Sequence, residues 1–384
     1  MARLLFVVPP LTGHVNPSAS LGAALRARGH EVAWVGHPGA VRPLLPEGAR
    51  LFPLDEREVM ARRDRSLGGL SPARGLLAFK ELWEELFLPL GRSMLPGVEA
   101  AARELRPDLL LVDQQALAGA LAARRLGIRW ATLATTAAGV VDSLADLPKV
   151  REWMVARKAE LEREAGLAPR PEAELSPELV LVFSTPELAG PGPYPPQLRW
   201  IGPCFSPRAT EPPFPWERLR EGRLLFVSLG TVNAGHGGPL YRALVEALAE
   251  EPLQVVVAAP PEAFGPAPDN FLVVPRVPQL ALLPRVSAVL CHGGQNTVCE
   301  SLAHGLPLLV APIRDDQPVI AQQIASAGAG LRLRFGRTSP VELRDAVRRV
   351  LGEPSFRAAA DRIRSSFEAA GGTPAAVRAL EALL

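Results

Sequence analysis

The sequence predicts an α/β protein made of two doubly wound domains in series. Three observations carry this. The chain has 384 residues, more than one ordinary compact core accommodates. Short apolar runs alternate with helical patterns along nearly its whole length. That alternation stops in a proline- and glycine-rich stretch near the middle and then restarts.

The elements follow in order. "RLLFVV" is a continuous apolar run, as expected of a parallel strand covered on both faces. "PPLTGHVN" reads as a loop. Asn16 is suited to cap a helix, and Pro17 to its first position, where a missing N–H costs nothing. The helix "PSASLGAALRARG" then stops at Gly29, and "EVAWVG" is the next strand, completing a βαβ unit. Residues from about Met60 to Ala101 read as helix-rich and mixed in polarity, with Leu, Phe and Trp positions suited to lining a pocket for an apolar molecule. "PDLLLVD" is a strand closing on Asp113, "ALAGALAARRLG" a helix and "RWATLAT" a strand. "KVREWMVARKAELEREAG" has the 3.6-residue period of an amphipathic helix.

From Pro186 to Pro215 proline and glycine are dense, and the stretch is expected to be an extended interdomain linker. A cut near it gives domains 1–200 and 201–384, with the last helix able to cross back onto the first. Beyond it "RLLFVSLG", "LQVVVAA", "NFLVVPRV", "AVLCHG" and "PLLVAPI" read as strands. "GPLYRALVEALAEE", "QNTVCESLAHG", "QPVIAQQIASAGAG" and the C-terminal segment read as helices.

Composition excludes several classes. Lys plus Arg is 42 against Asp plus Glu 40, a formal charge of +2, which makes no electrostatic case for a nucleic-acid partner. Cys204, Cys291 and Cys299 lack metal-type spacing, and an odd, sparse set suits a reduced cytoplasmic protein. The first strand breaks at Pro9-Pro10 without a small-residue cleavage site, so it does not read as a signal peptide. No apolar run reaches membrane-spanning length, so stable membrane insertion is not expected.

One stretch holds more polar chemistry than its fold needs: "CHGGQNTVCESLAHGLP", Cys291 to Pro307. It reads as a strand end, a turn and a helix start. The first N–H groups of a helix have no internal partner and carry partial positive charge, so the turn suits an anion, most naturally phosphate. Gly293 and Gly294 let a ligand approach the backbone, His292 adds a donor, and Asn296 and Thr297 fall in the first helical turn. Glu300, one turn further on, suits ribose hydroxyls. A plain turn with a capping Asn accounts for Gly293, Gly294 and Asn296, but not for His292 and Glu300. "PLLVAPIRDDQP" sets Asp316 and Gln317 after the following strand, an acid–amide pair suited to vicinal sugar hydroxyls. Val277 and Gln279 lie on a turn at another strand end, and Ser228, Gly230 and Thr231 at yet another. In open α/β sheets, ligands gather outside the carboxyl ends of strands.

The run "RVPQLALLPRVSAVLCHGGQNTVCESLAHGLPLLVAPIRDDQP" resembles the nucleotide-sugar signature of the family-1 glycosyltransferases, which include UDP-glycosyltransferases and bacterial macrolide and natural-product glycosyltransferases. With the two-domain layout and the "SLGT" strand end, the resemblance spans nearly the whole chain. It implies the GT-B fold: two facing Rossmann-like domains, α/β, with the active site in the interdomain cleft. It also implies roles. His292 and the helix start at Gly294, Asn296 and Thr297 would meet the diphosphate, with Ser228, Gly230 and Thr231 flanking it. Glu300 would hold the ribose, Asp316 and Gln317 the sugar, and the turn at Val277 and Gln279 the base. Many members stack a Trp on the base just before that turn; here Arg276 stands there, and a flat guanidinium also stacks.

In the first domain, family members carry a histidine general base in the loop after the first strand, and His14 in "GHVNP" matches. A neutral imidazole accepts a proton near pH 7. Asp113 matches the family aspartate that orients it. The implied reaction is inverting, metal-independent hexosyl transfer from a UDP- or dTDP-sugar to a small, hydrophobic, hydroxylated acceptor, with no cofactor beyond the nucleotide sugar and a monomer or homodimer as the working form. Gln317 leans the donor toward a glucose type. His30 and His37 read as structural, His304 as capping a negative helix end, and His236 as a loop residue. Two alternatives share the fold: a UDP-sugar 2-epimerase and a non-catalytic nucleotide-sugar-binding auxiliary protein. A nicotinamide oxidoreductase would need G-x-G-x-x-G after the first strand, which "PPLTGHVN" lacks.

Overall fold

The computed structural model describes residues 1–384 except 56, 58, 62–75, 142, 143, 145, 146, 206–210 and 231–233. Contacts divide the chain into two compact units. The first is Met1–Thr185 with Gly192–Ala209 and Ala370–Leu384, and the second is Pro186–Pro191 with Thr210–Ala369.

The first unit is a seven-stranded sheet: β1 (Arg3–Val7), β2 (Glu31–Gly36), β3 (Arg50–Pro53), β4 (Leu109–Asp113), β5 (Trp130–Ala134), β6 (Val180–Val182) and β7 (Leu198–Trp200). Their spatial order is β3-β2-β1-β4-β5-β6-β7, and every pair is parallel. β1, β4 and β5 are central and buried on both faces, which is why their sequences are apolar at nearly every position. Leu4, Phe6 and Trp34 face one layer with Leu21 and Leu25 of helix α1 (Thr12–Ala27). Leu5, Val7, Leu110 and Val112 face the other.

One expected helix start is corrected here. The helix starts at Thr12, not after Asn16: the Leu11 carbonyl accepts the N–H of His14 and Val15, and Pro17 lies inside the helix. His14 therefore sits on a helical turn and not in a loop. The region expected to be helix-rich is so: residues 59–61 are helical, and residues 76–105 form one continuous helix α2 with a π-helical segment at Trp83–Phe87; the expectation for residues 62–75 lies outside the described residues. After α3 (Leu117–Leu126) comes α4 (Pro148–Glu164), the "KVREWMV" helix, which buries Leu161 and Glu162 and half-buries Trp153 and Met154.

The proline-rich stretch is not a plain linker. Its Leu198–Trp200 segment is the edge strand β7, where flanking prolines interrupt no inner ladder.

The second unit has six parallel strands: β8 (Leu224–Ser228), β9 (Gln254–Ala258), β10 (Phe271–Val274), β11 (Ala288–Cys291), β12 (Leu308–Val310) and β13 (Gly330–Arg332). They run in the order β10-β9-β8-β11-β12-β13. One face packs on α5 (Gly238–Leu248) through Tyr241, Leu244 and Leu248. The other packs on α6 (Gln295–Ala303) and α7 (Gln317–Ser326). α8 (Pro340–Gly352) opens on a capping box between Ser339 and Glu342. α9 (Pro354–Ala370) closes this unit, and α10 (Gly372–Glu381) returns to the first. There Ala376, Val377 and Leu380 enter the core beside α1, and Glu381 accepts from Arg28 and His30. Among the described residues no helix is long and apolar enough to cross a membrane.

Candidate active site

In the first unit, three neighbouring strand ends bring one polar cluster together. Val7, at the end of β1, pairs with Val112 of β4, and Asp113 pairs with Leu133 of β5. α1 begins just past β1 and points His14 at the end of β4. Nδ1 of His14 lies 2.9 and 3.0 Å from the two carboxylate oxygens of Asp113. The Asp113 side chain is fully buried and that of His14 is 14% exposed. A buried carboxylate must find donors. Asp113 has the imidazole, the backbone N–H of Gln115 at 2.9 Å, and the hydroxyl of Thr135, which donates to Oδ2 at 2.8 Å. A carboxylate facing Nδ1 favours the tautomer with its proton there, which leaves the lone pair on Nε2, the arrangement a general base needs. The expected His14–Asp113 pair is therefore formed in the structure.

Sequence reasoning missed Thr135. Its signal was faint: a threonine ending the apolar run "RWATLAT", one strand over from Asp113. Near this cluster Leu11, three residues before His14, packs against Leu82, Leu86 and Phe87, as does Trp83 on the π-helical segment. Phe79, Trp83 and Phe87 contact one another in sequence, with ring centroids 6.3 and 5.4 Å apart.

In the second unit, the donor-type residues follow the carboxyl ends of adjacent strands. Ser228 of β8 pairs with Cys291 of β11, and Cys291 with Val310 of β12. Ser228, Gly230, His292–Gly294 and the 311–317 turn therefore emerge side by side. Gly293 has φ +92, and a Cβ there would stand 3.0 Å from Val310 and 3.3 Å from the Gln317 carbonyl, so the turn needs glycine. Gly294 is the N-cap of α6, and no side chain caps that helix. Asn296 thus does not act as the cap considered from sequence; it lies with Thr297 in the first turn, whose N–H groups are left to other acceptors.

The His292 ring is clamped between two backbones: a Cβ on Gly230 would come within 2.8 Å of it, and one on Gly294 within 2.7 Å. Burial drives the imidazole pKa down to about 4, with the Ser228 backbone pulling weakly the other way and the Arg314 charge adding to the fall. His292 is neutral at pH 7. Its Nδ1 has no hydrogen-bond partner among the described residues.

Glu300 is 5% exposed, and its Oε2 accepts from the side-chain amide of Gln279. The presumed ribose and base residues are therefore already joined. Val277 packs its side chain into the core, leaving only its backbone for a ligand. Gln317 is buried, and its Oε1 accepts the N–H of Ile313 and Arg314, so half of this amide holds its own turn. Asp316 is the N-cap of α7, and Asp315 before it has φ +59. Burial, then the Asp316 charge, raises the Asp315 carboxyl pKa to about 6. Thr231 and the side chain of His236 lie outside the described residues.

The remaining candidates are inert. Cys204, Cys291 and Cys299 form no disulfide and are buried, and burial pushes each thiol up to about 12. His304 stands at the C-cap of α6 as expected, and burial lowers its pKa. Among the described residues no group of three or more His, Cys, Asp and Glu could hold a metal ion.

Comparison with known proteins points to glycosyltransferases. Residues 242–383 match the family described as "Erythromycin biosynthesis protein CIII-like, C-terminal domain". The chain is 29% identical over 422 residues to 4'-demethylrebeccamycin synthase of Lentzea aerocolonigenes, covering 100% of both. It is 29% identical over 418 residues to demethyllactenocin mycarosyltransferase of Streptomyces fradiae, covering 100% of this chain and 87% of the relative. The solved spinosyn rhamnosyltransferase SpnG, complexed with thymidine diphosphate, superposes with a TM-score of 0.75 at 26% identity, covering 99% of this chain and 100% of that one. With His14 joined to Asp113 and the second unit's candidate residues gathered at adjacent strand ends, the chain is similar to the family-1 glycosyltransferases of natural-product type and has the GT-B fold.

Proposed function

We propose that this glycosyltransferase moves a hexose or deoxyhexose from a UDP- or dTDP-sugar to a hydroxyl of a small, largely apolar acceptor, inverting the anomeric carbon and using no metal. The observation that carries the reading is the His14 imidazole held through Nδ1 by the buried Asp113 carboxylate.

In one step the acceptor oxygen attacks the anomeric carbon and its proton passes to His14 Nε2. The bond from that carbon to the β-phosphate oxygen breaks, and the nucleoside diphosphate leaves with the electron pair. A single displacement inverts configuration. Asp113 stabilises the imidazolium that forms. The negative charge on the leaving group meets the uncapped N–H groups at the start of α6, which supply the stabilisation a cation would give elsewhere. His292 contacts the diphosphate as a neutral ring, Glu300 and Gln279 the ribose and base, and Asp316 and the Gln317 amide nitrogen the sugar.

The thymidine diphosphate named with the spinosyn enzyme supports a dTDP-sugar as donor. The Phe79–Trp83–Phe87 ring cluster, and Leu11 packed beside Phe87, support an apolar acceptor. A sugar-epimerase reading finds no support among these relatives.

The test is a panel of UDP- and dTDP-sugars against a library of hydroxylated aglycones, with nucleoside diphosphate release and product mass as readouts. Acceptor-dependent release of UDP or dTDP is expected. Nucleoside diphosphate release with no glycosylated product from any aglycone, or glycosylation of strongly polar acceptors alone, would overturn it.

A further inference from the structure

The Thr135 hydroxyl makes a closed triangle with the base pair. Its Oγ1 lies 2.7 Å from His14 Nδ1 and 2.8 Å from Asp113 Oδ2, while Nδ1 and Oδ2 are 2.9 Å apart. Thr135 is 3% exposed, and it follows β5 directly. A hydroxyl has one proton. An ionised carboxylate only accepts, so that proton goes to Oδ2. The Thr135 oxygen can then approach Nδ1 at 2.7 Å only if Nδ1 carries a hydrogen. Without one, three sets of lone pairs would converge.

We infer that Thr135 is a positioning residue for the general base: it locks the Nδ1–H tautomer of His14 and fixes the Asp113 carboxylate. Asp113 alone leaves a choice. Its two oxygens are almost equally far from Nδ1, at 3.0 and 2.9 Å, so the pair by itself sets no single rotation of the carboxylate. Thr135 on Oδ2 and the Gln115 N–H on Oδ1 remove that freedom from both sides. The tautomer follows from the whole triangle, and Nε2 keeps the lone pair. The inference rests on the proposed transfer reaction only for its kinetic consequence; the tautomer itself can be read without any substrate.

The experiment labels the histidines of the full chain with nitrogen-15 and reads the ring nitrogens by long-range proton–nitrogen correlation. His14 is assigned by the signal lost in His14→Gln. In the unmutated chain His14 is expected as the Nδ1–H tautomer, and finding Nε2–H instead overturns the inference even if no variant folds. Thr135→Val keeps the shape and removes the hydroxyl. It is expected to let the Nε2–H tautomer appear, with kcat down about tenfold and donor KM unchanged. Thr135→Ser is expected to restore both. An unchanged His14 spectrum in Thr135→Val overturns the inference. So does a raised donor KM with kcat intact, which would assign Thr135 to sugar contact. A wild-type chain that shows the Nδ1–H triangle but transfers no sugar would sink the transferase reading and leave this one standing.

Discussion

Under the proposed transfer, the two units solve opposite problems with opposite materials. In the first unit the chemistry is carried by side chains: an imidazole, a carboxylate and a hydroxyl in mutual hydrogen bonds, with the carboxylate wholly buried. In the second the cradle is mostly backbone: a helix start without a side-chain cap, glycines on both sides of a neutral ring, and a buried amide spent on its own turn. A proton must be taken by one atom of known basicity, so its site needs a specified side chain. A diphosphate spreads its charge over several oxygens, and a row of N–H groups with the helix dipole behind it suits that better. The first site should therefore fail on loss of one functional group, and the second on loss of space.

Mutation can break that contrast. The largest effect is expected from His14→Ala, which removes the base: kcat should fall by about 10²–10⁴-fold while calorimetry shows nucleoside diphosphate binding unchanged. A variant that kept full rate would end the assignment. Next is Gly294→Ala. The added Cβ would lie 2.7 Å from the His292 ring, so ring or helix start must shift. Nucleotide affinity should drop by roughly tenfold or more, about 1.4 kcal/mol, with single-turnover chemistry at saturating donor much less affected. Should the variant lose rate and keep affinity, the cradle would not be where space matters.

Glu300→Gln sharpens the same point. The carboxylate accepts from Gln279, and a hydrogen bond to a charged group contributes about 1.5–3 kcal/mol. An amide keeps part of this, so a few-fold to tenfold weaker donor affinity is expected, measured as donor Kd by titration; no change would argue against ribose contact.

The smallest effect concerns stability. Asp315 has its pKa raised to about 6 by burial and by Asp316, so ionising it costs the folded state. That cost is absent below the ordinary carboxylate value of 3.8, grows as pH rises toward 6, and is complete above it. Asn cannot ionise and tolerates the left-handed φ of +59. Asp315→Asn should raise the melting temperature by a few degrees at pH 7.5 and hardly at pH 4. An equal shift at both would mean that backbone strain, and not charge, is relieved.

Much of this was legible beforehand. Long apolar runs such as "RLLFVV" and "PDLLLVD" gave the central strands, because a strand covered on both faces has nowhere for polar residues. β3, β7 and β13 were not read. They are edge strands of three or four residues, half covered, without enough apolar sequence to stand out. β6 lies inside the sheet but is only three residues long. Asn16 and Pro17 suggested a helix start that the structure moves upstream, because the Leu11 carbonyl closes the first turn without any side-chain cap. Gln317 was expected to meet the sugar; nothing in the sequence signalled that its amide oxygen also accepts the 313 and 314 backbone N–H groups.

The sequence alone determined the alternation of strands and helices, the glycines at the turn after β11, and the family motif that marks His14, Asp113 and the cradle. These are local patterns, set by side-chain period and backbone sterics within a few residues. Only the tertiary structure decided that Thr135 joins His14 and Asp113. Those residues lie 121 and 22 positions from it along the chain. They meet because β1, β4 and β5 are neighbours in register, and strand order is fixed by packing of the whole sheet, which no local window contains.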